Sequence, residues 1–168
     1  MARRKLDGLR VLVTGASQGI GRALVLEAAK RGCRVLASAR SQPLLDELAV
    51  EAGAFSSNLR TVVADVTDPA GREAMVAAAT RHFGGLDVLV NNAGIVVNGP
   101  VEGLTLDDFT RQFDVNVISQ IAVTQAVLPK IRASHGRVLF ISSVSGLFTT
   151  PGTGAYNASK YAIESLAD

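Results

Sequence analysis

Tyr156 and Lys160 stand four residues apart, so on a helix they share one face, one above the other. A free phenol ionises near pH ~10, and an ammonium beside it stabilises the phenolate and brings the group toward working pH. Such a pair can give and take a proton. On its own it equally describes two surface residues of a helix. Ser143, thirteen residues before Tyr156, adds a hydroxyl able to donate to a substrate oxygen and steady the charge developing there. Near the other end of the chain, Thr14-Gly15-Ala16-Ser17-Gln18-Gly19-Ile20-Gly21 gathers three glycines. Glycine permits positive φ and lets a ligand reach amides that a Cβ would shield. At a helix N-terminus such a turn binds phosphate; taken alone, it also reads as an ordinary loop.

The elements around these residues decide between the readings. Short apolar runs recur at Val11–Val13, Val35–Ala37, Val62–Ala64, Val88–Val90 and Val138–Ile141. They are continuous rather than alternating, which predicts strands buried on both faces. Helical patterns lie between them. Gly21, Leu24, Val25, Ala28 and Ala29 share one helical face, and Gly32 supplies a stop. Asp68 with Pro69 opens a helix running through Ala74, Ala77 and Ala78 toward Gly84, and Thr105 caps another with Asp107 and Asp108 in its first turn. This alternation predicts a Rossmann-like, doubly wound parallel α/β sheet with helices on both faces, as one domain over residues 1–168. The glycine turn then sits inside a βαβ unit, which favours pyrophosphate. Ser143 falls at the end of the fifth strand, on the crevice side of such a sheet, and Ser142 points to the opposite face as a structural residue.

Composition removes other classes. Of 168 residues 48% are hydrophobic, enough to close a core. One cysteine, Cys33, excludes a disulfide framework and reads as a small apolar residue near a strand start. His82 and His135 lie in different elements without a carboxylate at ligand spacing, so no metal is expected and both are placed in solvent. Arg3, Arg4 and Lys5 would suit the charged end of a signal peptide, but the apolar run that follows is only Val11–Val13. No stretch approaches the ~18 apolar residues of a membrane span. A cytoplasmic protein is expected. Residues 1–40 hold nine Lys or Arg against two Asp or Glu, a balance of +7, and the remainder carries −5. These cations are dispersed among apolar positions and aromatics make up 5% of the chain, which argues against nucleic acid and for a phosphate-bearing small molecule. Ser143 lacks the Gly-x-Ser-x-Gly elbow of a hydrolase.

The spacing Gly-x-x-x-Gly-x-Gly resembles the short-chain dehydrogenase/reductase family, and further motifs follow in order. They are Asp65, Asn91-Asn92-Ala93-Gly94, Asn116, Ser142-Ser143 and Tyr156-Asn157-Ala158-Ser159-Lys160. The resemblance runs from Leu9 onward and implies strand order 3-2-1-4-5. It implies an oxidoreductase moving a hydride between a nicotinamide cofactor and a small carbonyl or alcohol substrate. Tyr156 would be general acid/base and Ser143 would hold the substrate oxygen. Lys160 would bind the nicotinamide ribose, and Asn116 would hold a water of the proton relay. The turn residues Gly15, Ser17, Gln18, Gly19, Ile20 and Gly21 would bind pyrophosphate. Asp65 and the Val66 amide would meet adenine, although Asp65 also suits a turn cap. Asn92, Ala93 and Gly94 would approach the ribose, with Asn91 and Asn92 pinning neighbouring strands. The glycine spacing disfavours a sugar epimerase.

An acid ~20 residues beyond the turn would mark NAD by accepting from the ribose 2′-hydroxyl. The sequence there is Ala37-Ser38-Ala39-Arg40-Ser41, and a guanidinium at Arg40 can instead grip a 2′-phosphate. NADP(H) is therefore expected, favoured also by the +7 quarter, with NAD(H) as the second option. Arg40 also reads as a solvated strand-end residue, and Gln18 stands where the family often places a second basic residue.

The chain stops eight residues past Lys160, whereas the family continues through further helices and at least two strands. The fifth strand is therefore expected to be an edge. Two readings follow: the amino-terminal portion of an oxidoreductase that is a homo-oligomer at full length, or a truncated, non-catalytic dinucleotide-binding module. Leu147 and Phe148 offer apolar walls, pointing to an apolar carbonyl compound.

Overall fold

A computed structural model describes residues 5–167; Arg3, Arg4 and Asp168 lie outside the described residues. Five parallel strands form one sheet in the order β3-β2-β1-β4-β5. They are β1 (Arg10–Thr14), β2 (Arg34–Ala39), β3 (Leu59–Val63), β4 (Val88–Asn91) and β5 (Arg137–Phe140). Six α-helices connect and follow them: α1 (Gly19–Lys30), α2 (Gln42–Glu51), α3 (Pro69–Phe83), α4 (Leu106–Phe113), α5 (Ser119–Ala133) and α6 (Gly154–Ala167). A π-helical turn, Asp114–Ile118, joins α4 to α5.

Alternation along the strands creates the two layers. Val11, Val13, Val35 and Ala37 pack with Val25 and Ala29 of α1 and Leu45 and Leu48 of α2. Leu12, Leu36 and Leu89 face the other way, onto Met75 and Ala79 of α3 and Val123, Val127 and Ile131 of α5. The expected helix boundaries have identifiable causes. Ser41 caps α2 through Leu44 N–H, Asp68 caps α3 through Ala70 N–H at 3.1 Å, and Thr105 caps α4 through Asp108 N–H at 3.1 Å. Gly32 and Gly84, at φ +83° and +70°, end α1 and α3 in the left-handed conformation. The buried face of α3 is Gly71, Met75, Ala78 and Ala79, while Ala77 faces solvent.

Two strands depart from expectation. β3 begins at Leu59, before its apolar run, because Leu59 pairs with Val35 and Arg60 with Leu36. Neither β3 nor β5 is buried on both faces: Val63 is 45% exposed, and Leu139, the register partner of buried Val90, is 49% exposed. In the described sheet β5 is an edge, paired with β4 alone.

Winding reverses between β1 and β4, leaving a crevice beyond the carboxyl ends of those two strands. At the opposite end Arg10 grips Asp87 bidentately, Nε to Oδ2 at 2.8 Å and Nη2 to Oδ1 at 2.9 Å, and its backbone N–H reaches the same carboxylate. The hydrogen bond to Asp87 raises the arginine's pKa further against the cost of burial.

Candidate active site

The turn after β1 is shaped by Gly15 and Gly19, at φ +63° and +54°. A Cβ on Gly15 would stand 2.8 Å from Ala93 Cα, so the turn and the loop after β4 touch backbone to backbone. A Cβ on Gly19 would meet nothing within 4 Å; this side of the turn is open. Gln18, the N-cap of α1, makes no capping bond through its side chain, and the first turn holds no acid. The N–H groups of that turn are thus presented to the open side without a side-chain partner, which fits a pyrophosphate. Gly21 has a different role. Its Cβ would run into Asn92 Nδ2 and the Gly15 carbonyl, so it lets α1 start close behind the turn.

Thr14 is a participant the motif reading passed over. Its Oγ1 accepts from Asn92 N–H at 3.0 Å and Ala93 N–H at 3.1 Å and donates to the Val90 carbonyl at 3.3 Å. Asn92 returns the link, Nδ2 donating to the carbonyls of Thr14 at 2.9 Å and Gly15 at 3.0 Å. Asn91 does not pin a neighbouring strand; its amide donates to Thr124 Oγ1 on α5 at 2.9 Å.

Ten of the expected residues line one cleft of about 310 Å³: Gly15, Ser17, Gln18 and Gly19 of the turn, Arg40 after β2, Asp65 with Val66 after β3, and Asn92–Gly94. Ala39, Ala64, Ile95 and Val115 also line it. The first two are small residues immediately before Arg40 and Asp65, a local signal for close backbone approach. Ile20, 66% exposed, and Gly21 do not line the cleft. Asp65 realises the turn cap, its Oδ1 accepting from Thr67 N–H at 2.9 Å and Thr67 Oγ1 at 2.7 Å. Burial opposes its ionisation, but these two bonds and the Arg40 charge together hold its pKa below the ordinary carboxylate value.

The basic first quarter does not surround this cleft. Lys5, Arg10, Lys30, Arg31 and Arg34 stand at strand starts and helix ends, on the amino side of the sheet. Among the described residues of this quarter only Arg22 and Arg40 are on the carboxyl side, and Arg22 is paired with Glu51 at 2.6 Å. Proximity in sequence was a poor guide because each strand carries the chain from the amino end of the sheet to the carboxyl end and each helix carries it back.

Of the proton-transfer candidates, Tyr156 and Lys160 stand on α6 and Ser143 follows β5. Lys160 is 5% exposed; its Nζ donates to the Ile141 carbonyl at 2.8 Å and lies 5.8 Å from the centre of the Tyr156 ring. Burial lowers its pKa. Ser143 caps a short 3₁₀ helix, Val144–Gly146, its Oγ accepting from Ser145 N–H at 3.1 Å, which leaves the hydroxyl proton available to another acceptor. Gly146 seats that helix against α6, where a Cβ would stand 3.2 Å from the Lys160 carbonyl. Ser142 Oγ is buried without a hydrogen-bond partner, 3.0 Å from where that Cβ would stand.

Asn116 lies in the π-turn, fully buried. Its Oδ1 accepts from Ile95 N–H at 2.8 Å, and its Nδ2 donates to the Ile95 carbonyl at 2.9 Å and to Ser159 Oγ at 3.0 Å. Both amide protons are thus committed to protein, so the expected water would have to donate to an oxygen of Asn116. Ser159 Oγ in turn donates to the Tyr156 carbonyl at 2.7 Å, so Asn116 ties α6 to the loop after β4.

Among the described residues no group of three or more His, Cys, Asp or Glu could hold a metal ion, and no helix is long and apolar enough to cross a membrane. His82 and His135 are exposed, the latter at φ +50° in the turn before β5. Cys33 is buried, its Sγ 3.2 Å from the Leu6 carbonyl, and burial raises the thiol's pKa.

A family model described as short chain dehydrogenase matches residues 10–168. Retinol dehydrogenase 5 of Homo sapiens is 40% identical over 161 residues, covering 94% of this chain and 49% of its own length. The 11-beta-hydroxysteroid dehydrogenase 1A of Arabidopsis thaliana is 40% identical over 165 residues, covering 96% and 47% respectively. The chain therefore spans about half the length of these relatives. A short chain dehydrogenase/reductase from Burkholderia phymatum, solved in complex with NAD, superposes with a TM-score of 0.92 at 29% identity, over 98% of this chain and 59% of that one.

Proposed function

The chain belongs to the short-chain dehydrogenase family, and on that premise we propose that it transfers a hydride between NADP(H), with NAD(H) as the second option, and a carbonyl or alcohol substrate. The observation that carries the reading is the seat of Lys160. A buried ammonium beside an aromatic ring, anchored to the end of β5, is costly to keep unless it acts on something.

The cleft offers each part of the dinucleotide a partner. The uncapped start of α1, with Gly15, Ser17, Gln18 and Gly19 lining the cleft, suits the pyrophosphate, and Gly21 lets the helix start close behind them. Arg40 serves the 2′-phosphate, and no acid stands at the end of β2 to favour a 2′-hydroxyl. The NADP(H) preference rests on these two facts, since the other described cations of the first quarter lie elsewhere or, like Arg22, are paired. Asp65, through the carboxylate oxygen Thr67 does not use, and the Val66 amide meet adenine. Asn92, Ala93 and Gly94 meet the ribose. When bound, the nicotinamide supplies or takes up the hydride.

Tyr156 delivers the proton to the carbonyl oxygen, and the free hydroxyl proton of Ser143 donates to that same oxygen. Lys160 uses one of its three N–H groups on Ile141 and keeps two for the ribose and the proton path. Asn116 enters as the anchor of α6. Val144, Leu147 and Phe148, 73%, 65% and 67% exposed beside Ser143, suit an apolar substrate.

The test is fluorescence titration of the purified chain with NADPH and NADH, then turnover on a panel of ketones and aldehydes. NADPH binding tighter than NADH supports the reading. Failure to bind either dinucleotide overturns it.

A further inference from the structure

One line of side-chain amides is fastened to one extended segment. Gln112 of α4, Asn116 of the π-turn and Gln120 of α5 are spaced four apart, and 0%, 0% and 2% of their surfaces are exposed. The segment that leaves β4 is extended but belongs to no strand. Gln120 Nε2 donates to the Ala93 carbonyl at 3.1 Å. Asn116 takes both polar groups of Ile95. Gln112 Oε1 accepts from Val97 N–H.

The geometry explains why these positions match. Four helical residues advance about 6 Å and two extended residues about 6.6 Å, so the amides at 112, 116 and 120 meet the backbone at 97, 95 and 93. In a regular α-helix every fourth residue drifts around the axis. The wider π-turn rotates less per residue and counters that drift, keeping the three amides in line. The helix thereby supplies, from side chains, the hydrogen bonds a neighbouring strand would have given.

The far side of the same segment is the cleft wall, since Ala93, Gly94 and Ile95 line it. We propose that Gln112 and Gln120 are positioning residues, completing with Asn116 an amide ladder that fixes the segment Ala93–Val97 as one wall of the dinucleotide cleft. This rests on the functional reading above. The two glutamines work through opposite atoms: Gln112 uses only its oxygen, and Gln120 only its nitrogen, with Gln112 Nε2 and Gln120 Oε1 unpartnered.

That asymmetry supplies the test. Gln112→Met and Gln120→Met keep the approximate volume and remove the rung. Gln112→Glu keeps an acceptor for Val97 in either protonation state. The measured quantities are affinity for NADPH, affinity for adenosine 2′,5′-bisphosphate as the adenine-side fragment, and amide hydrogen exchange at Val97 in the free protein. Each Met variant should weaken NADPH and the fragment alike, about tenfold, the scale of one buried hydrogen bond, and Gln112→Met should also speed exchange at Val97. Gln112→Glu should restore both affinities and protection at Val97. Undiminished affinity for both ligands, or Val97 exchange indifferent to Gln112→Met, overturns the ladder. If the unaltered chain binds the fragment but not NADPH, the cleft does not serve a dinucleotide and the ladder's role falls. If it binds neither, the functional reading fails first and the proposal falls with it.

Discussion

Lys160 Nζ and the Ile141 carbonyl, 2.8 Å apart, join the helix bearing Tyr156 to the end of the edge strand. The bond positions an ammonium in a buried setting, and burial is what lowers its pKa. The same desolvation couples this residue to the stability of the fold.

Between the lowered native pKa of Lys160 and its ordinary value of 10.5, the unfolded chain binds a proton that the native chain has released. Stability rises with pH wherever the unfolded state holds more protons. Relative to Lys160→Met, the unaltered chain should therefore gain stability as pH climbs through that window, and show no such gain below it. Urea unfolding of both proteins across neutral to alkaline pH measures the difference. A fall in the stability of the unaltered chain relative to Lys160→Met as pH rises would contradict the burial argument.

Tyr156→Phe keeps the ring and removes the proton donor. Turnover should fall by about 10² to 10⁴ while NADPH affinity stays within a few fold. Lys160→Ala should damage both. The measurement is steady-state reduction of whichever ketone the panel identifies, with nucleotide binding alongside.

Arg40→Asp should weaken NADPH by about 1.5–3 kcal/mol, the scale of a charged hydrogen bond, and improve NADH relative to it. Added salt should weaken NADPH more than NADH in the unaltered chain. Unchanged affinity for both dinucleotides would remove Arg40 from the site.

Thr14→Val deletes one oxygen and little volume. Thr14 is 1% exposed, so the N–H groups of Asn92 and Ala93 lose their acceptor where water cannot replace it. The cost should be about 1–3 kcal/mol of unfolding free energy, read from chemical denaturation. NADPH should bind more weakly as well, since both walls of the crevice hang on that hydroxyl.

What could be read in advance was local. The glycine turn, the Asp68-Pro69 helix start and the Tyr156–Lys160 spacing are each carried by neighbours in sequence. So is the strand alternation that yields the 3-2-1-4-5 sheet once the family resemblance is added. The hydroxyl of Thr14 and the amides of Gln112 and Gln120 act on backbone 15 to 79 residues away, and nothing in their own surroundings announces it. The π-turn was hidden for another reason: Asp-Val-Asn-Val-Ile patterns like ordinary helix, and the extra residue shows only in the hydrogen bonds. The charge of residues 1–40 misled because the helices between parallel strands return the chain to the same end of the sheet each time.

The pairing of β1 with β4 has a consequence in time. Arg10 and Asp87, at the base of that pair, are 77 residues apart in sequence. Arg10 and Arg34, partners across β1 and β2, are separated by a single helix and its turns. Closing the longer loop costs more entropy before any contact repays it. The phosphate turn can therefore take shape with the first βαβ unit, but its opposite wall arrives only when β4 slots in beside β1. A nucleotide that needs both walls finds no target until that late step. Its presence should leave the early refolding rate unchanged and lengthen the lifetime of the native state, so that ligand appears on the unfolding arm of the kinetics.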